Sequence, residues 1–172
     1  MKSPVELRHD HLRQLYFSER AKREGIRGSI ATPLAAIAFV VFSLGTLATE
    51  FDAARWREPA SLAIIALGLG SVLALFAAAY HAVMVEWLFV YHEPPGLDDL
   101  LAAEDRIRAE NPEATETQLT ELLTAGYAIA YRQYLCGNVV SARARTWSLR
   151  YVLLSLLLLA LSFALLPLHL AG

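Results

Sequence analysis

The stretch SLRYVLLSLLLLALSFALLPLHL, residues 148–170, decides the fold. Its leucines are what a bilayer asks of a helix, yet Ser148, Ser155, Ser162 and His169 interrupt them at a strict interval of seven. From Tyr151 to the C-terminus there is no Asp, Glu, Lys or Arg, and residues 28–49 and 59–85 are equally free of charge. At 1.5 Å per residue each run can cross a hydrocarbon core of roughly 30 Å. With 56% hydrophobic residues in 172, the chain has more apolar surface than a soluble domain of this size can cover. The fold class these features imply is all-α: a three-span helical membrane protein with long helices extending into the cytoplasm, assembled as a symmetric homo-oligomeric bundle.

Charge sets the expected orientation. Residues 1–27 carry seven Lys/Arg against four acids, and residues 92–150 carry six Arg. The positive-inside rule puts both on the cytoplasmic side of the membrane and the C-terminus outside. The N-terminal segment lacks the basic start and cleavage pattern of a signal peptide. The lone Cys136 excludes an intrachain disulfide and reads as a small buried hydrophobe.

Two domains follow, 1–96 with an N-terminal cytoplasmic helix and the first two spans, and 97–172 with cytoplasmic helices continuing into the third. The N-terminal helix is expected to run into span one, where Ala31, Ala35, Ala38, Phe42, Gly45 and Thr49 form a mostly small face suited to close helix contact. Span two repeats the device with Ala66, Gly70, Ala74, Ala78 and Ala82, and its helix should continue through Glu86, Trp87 and Tyr91 until Pro94, Pro95 and Gly96 stop it. A short helix, 97–110, precedes Asn111-Pro112, an N-cap followed by proline at the first helical position. Between there and Leu166 no proline intervenes, which predicts one helix of some fifty residues.

Along that helix the seven-residue interval extends backward through Ser141, Tyr134, Tyr127 and Thr120. A straight helix drifts about 20° per heptad, so such a row becomes one face only under left-handed supercoiling. Two readings stay open. In one, Ser155 and Ser162 bond to carbonyls one turn back in a packed seam between helices. In the other, Ser148, Ser155, Ser162 and His169 line a narrow conduit between copies, four as a working number, with Tyr127 and Tyr134 as an aromatic gate.

The cations form a second feature. Arg20, Lys22, Arg23 and Arg27 precede span one, and Arg143, Arg145 and Arg150 precede span three, so each subunit can place a basic belt at the membrane. Its partners would be lipid headgroups or a polyanion such as a nucleotide or short nucleic acid. No strand pattern, phosphate-binding loop, zinc spacing or repeat is present, and no cofactor or metal is implied. His81 and Glu86, the ionisable groups within the second helix, are five apart on poorly matched faces, which gives no catalytic constellation.

The segments YFSERAKREGIRGSIATPL and WLFVYHEPP, and the pattern Tyr127-x3-Tyr131-x6-Asn138-x2-Ser141-x-Arg143, resemble small bacterial membrane effectors of antiphage operons, the SLATT-like group and the channel effector of the Hailong defence system. The chain departs from the usual SLATT pattern in ending on a membrane span. The resemblance implies an oligomeric ion channel that depolarises the cell under control of a nucleotide-type signal made by a partner enzyme. The alternative is an anchor or scaffold subunit whose cytoplasmic helices dock such an enzyme.

Overall fold

A computed structural model describes residues 3–87 and 91–171. Five helices follow in order: α1 (Pro4–Gly28), α2 (Ala31–Glu50), α3 (Pro59–Trp87), α4 (Leu97–Glu110) and α5 (Thr115–Ala171), with no strand among the described residues. Three helical stretches are long and apolar enough to cross a membrane.

Local chemistry sets the boundaries. Ser3 and Glu6 cap α1 reciprocally, the Ser3 hydroxyl accepting from the Glu6 N–H at 3.3 Å and the Glu6 carboxylate accepting from the Ser3 N–H at 2.7 Å. The expected run from α1 into α2 is broken by a turn at Ser29–Ile30, four and three residues before Pro33, which can neither donate a helical hydrogen bond nor clear the carbonyl of residue 29. Asn111 accepts from the Ala114 N–H and caps a single 3-10 turn, Pro112–Ala114, that leads into α5. Tyr91 lies in non-helical backbone, while the residues between it and Trp87 fall outside the described ones, as does part of the predicted continuation of α3. The 57-residue α5 runs past Pro167, beyond the expected limit at Leu166. One lost N–H is tolerable there because the Arg55 guanidinium donates to the His169 carbonyl at 3.0 Å and holds the last turn.

By packing, the chain forms two interleaved units, Met1–Ile26 with Phe89–Val140, and Arg27–Leu88 with Ser141–Gly172, whereas the sequence reading divided it at residue 96. The difference arises because α5 serves both.

In the first unit, α1 and the early part of α5 run parallel. His9 meets Thr124 and Tyr127, Tyr16 meets Tyr127 and Tyr134, and Glu19 meets Asn138. Tyr16, Ala130 and Tyr134 are its core, with Tyr91, Tyr127 and Tyr131 packed around them. Gly126 lets the Pro94-Pro95 segment lie against α5, since a Cβ there would fall 2.6 Å from the Pro95 ring. Cys136, expected to be buried, is exposed.

In the second unit, α2, α3 and the rest of α5 surround Val40, Leu47, Ile64 and Leu159. On α2 the buried face is Pro33, Val40, Ser43 and Leu47, leaving the mostly small row Ala31, Ala35, Ala38, Phe42, Gly45 and Thr49 exposed. The small row of α3 goes the other way: Ala66 is exposed, whereas Ala74, Ala78 and Ala82 are buried. A four-residue step advances about 40° per term, so that row spirals from the surface into the bundle.

Candidate functional site

The seven-residue row of α5 is a seam against α3 of the same chain. The Ser141 hydroxyl donates to the Val85 carbonyl at 3.0 Å and the Ser148 hydroxyl to the Ala78 carbonyl at 2.9 Å. At the next step Ser155 and Ser71 face each other, their hydroxyl oxygens 2.8 Å apart, with contacts of 2.9 and 3.0 Å from each hydroxyl to the other's carbonyl. Antiparallel register carries the partner back seven residues at each step, so Ser162 comes opposite Ile64, whose side chain is apolar. Ser162 donates instead to the Leu158 carbonyl of its own helix at 3.0 Å.

The row ends at His169, whose Nε2 accepts from the backbone N–H of Asp52 at 3.1 Å. Nδ1 therefore carries the ring proton and is the donor to the Ser61 Oγ at 2.9 Å, and that hydroxyl in turn donates to the Arg55 carbonyl at 2.6 Å. Phe51 stacks on the imidazole with centroids 4.9 Å apart. His169 thus fastens the α2–α3 connection to the end of α5.

Ser141, Ser148, Ser155, Ser162 and His169 are all 0% exposed within one chain. The conduit reading of Ser148, Ser155, Ser162 and His169 is accordingly corrected: side chains wholly enclosed by α3 and the α2–α3 connection have no surface to offer a pore between copies. The row does stay on one seam, but the second helix of that seam belongs to the same chain.

The gate residues are also internal. Tyr134 stands edge-on to Tyr16 at 5.5 Å and lies 4.4 Å from Tyr91, while Tyr127 meets Tyr16 at 5.5 Å and His9 at 5.5 Å. These rings build the core of the first unit, which corrects their reading as an axial constriction.

The basic belt separates into two kinds of cation. Arg23 is only 7% exposed and lies over the Tyr91 ring at 5.2 Å, because it follows His9 and Tyr16 at steps of seven on the inner face of α1. Lys22 pairs with Glu19 at 2.5 Å, Arg27 with Glu86 at 3.3 Å, and Arg20 with Glu24 at 3.9 Å. Arg143, Arg145 and Arg150 have no carboxylate at ion-pair distance among the described residues. Arg150 lies over the Trp147 ring at 5.0 Å, and the Nε of Arg145 is buried without a hydrogen-bond partner.

Sequence reasoning missed a buried polar cluster. Asn138 donates to the Glu19 carbonyl at 2.8 Å and to its carboxylate at 2.9 Å. Burial alone would raise the Glu19 carboxyl, but the hydrogen bonds from Lys22 and Asn138, with the Lys22 charge, outweigh it and hold the group below its ordinary range. Ser71, the one polar side chain between Ser61 and Tyr80, was the overlooked signal that the seam's other half lies on α3.

Comparison with protein-family models, curated proteins and solved structures finds no match.

Proposed function

We propose that the protein is a non-catalytic bacterial inner-membrane effector that works as a homo-oligomeric ion channel responsive to an anionic ligand at its basic end. Copies meet through the outer face of α2. The observation that carries this reading is that the mostly small row Ala31, Ala35, Ala38, Phe42, Gly45 and Thr49 is exposed along the whole of α2, with nothing within 4 Å of a Cβ added at Gly45. Membrane helices associate by close backbone approach at small residues, and this row is unused by its own chain. Its polarity is slight, since the Thr46 and Thr49 hydroxyls donate back to the Phe42 and Thr46 carbonyls at 3.3 and 2.8 Å. A conduit along it would be neutral and weakly selective.

The test is ion flux from liposomes holding the purified protein, with oligomer size measured alongside. Wild type should conduct, and Ala38→Leu with Gly45→Leu should abolish both flux and assembly. Liposomes that stay tight under every ligand tried would overturn the channel. The closure of the serine row within one chain favours the second reading, an anchor or scaffold subunit, for which tight liposomes and a docked partner enzyme are the expected result.

A further inference from the structure

We infer that Arg143, Trp147 and Arg150 form a binding site for the phosphate-bearing headgroup of an anionic phospholipid, which is the anionic ligand left open above. The inference rests on the membrane location of α5 and not on conduction, so it can fail while the channel reading stands.

The three residues fall at i, i+4 and i+7 and therefore share one face of α5. All three are exposed. Neither arginine has a carboxylate partner among the described residues, whereas Arg27, the other exposed cation of this unit's basic end, is paired with Glu86 at 3.3 Å. The uncompensated positive charge at that end is thus on α5.

Its depth argues for lipid. Ser141 and Ser148 bond the carbonyls of Val85 and Ala78, which places the site beside the last charge-free turns of α3 before Glu86. Around it lie rings of the interfacial kind: Trp147 and Tyr151 are 5.9 Å apart, and His81 stacks on Tyr151 at 5.6 Å. Side chains on a helix lean toward its N-terminus, so Arg150 reaches back over Trp147, its guanidinium 5.0 Å from the ring. A cation whose Cα is within the apolar region and whose head is drawn back to the aromatic level meets phosphates of the leaflet. A soluble nucleotide would have to descend to that level. Guanidinium forks suit phosphate oxygens in pairs, and two on one face with a tryptophan between them can grip one headgroup.

The experiment equilibrates the full chain with vesicles of equal phosphatidylglycerol and phosphatidylcholine, extracts it in non-ionic detergent and counts the co-purifying lipids by mass spectrometry. Phosphatidylglycerol should be enriched over its share of the vesicle. Arg143→Gln with Arg150→Gln should lower its affinity roughly 30-fold, since each base near an anionic leaflet contributes about fivefold. Arg106→Gln, on α4, should change nothing. A wild-type lipid ratio equal to that of the vesicles overturns the site, and this holds even if the double variant misfolds. Displacement of phosphatidylglycerol by excess ATP, with ATP retained in lipid-free micelles, overturns it in favour of a soluble anion.

Discussion

Two members of the apolar bundle, α2 and α5, use periodicity in opposite ways. On α5 the periodic residues are polar, face inward, and each finds a hydrogen-bond partner within the chain. On α2 they are mostly small and face outward, with open space at Gly45. A hydroxyl in hydrocarbon needs an acceptor wherever it lies, so a polar row is committed as soon as the chain folds. A row of alanine and glycine has no such requirement and can wait for a second chain.

The sharpest way to break this contrast is bulk in the α5 seam. Ser155→Leu removes one half of the Ser71 pair and forces two extra carbons against a closely packed helix, for a cost of about 2–4 kcal/mol. Thermal unfolding in detergent should show a large drop in midpoint for this variant. Ser155→Ala adds no bulk and loses only the Ser155 hydroxyl's bond to the Ser71 carbonyl, while the Ser71 hydroxyl keeps the Ser155 backbone carbonyl as acceptor, so the loss falls to about 1 kcal/mol. Ser162→Ala should change stability by less than about 0.5 kcal/mol, because its hydroxyl serves only the Leu158 carbonyl one turn back. Smaller still is Gly45→Leu on the exposed face of α2, which should leave unfolding of the single chain untouched while altering oligomer size. Equal sensitivity at Ser155 and Gly45 would erase the distinction.

Much of this architecture could be read in advance. The three charge-free runs, the helix 97–110, the Asn111-Pro112 cap and the long unbroken α5 all rest on local chemistry, and local chemistry is what a sequence displays. The seven-residue row was equally visible. Which helix completes the seam was not, because Ser71, Ala78 and Val85 contribute backbone carbonyls that any residue possesses, and only Ser71 adds a side chain. The basic belt misled for a related reason. Composition gives the cations of α1 and α5 the same weight, but Arg23 shares the inner face of Tyr16, and Glu19, Glu24 and Glu86 neutralise the others. Only the arginines of α5 keep an open charge.

The central claim, that the serine row is closed within one chain, is tested most directly by a disulfide. Cys136 is the chain's single cysteine, so a Cys136→Ser background carrying Ser71→Cys and Ser155→Cys isolates the pair. With the two hydroxyl oxygens 2.8 Å apart, oxidation in the membrane should give a bond within each chain, shown by an unchanged monomer mass on denaturing gels and a single disulfide-linked peptide pair after proteolysis. Dimers on the oxidised gel that collapse on reduction, formed in place of the internal bond, would put Ser71 and Ser155 on different chains and contradict the account.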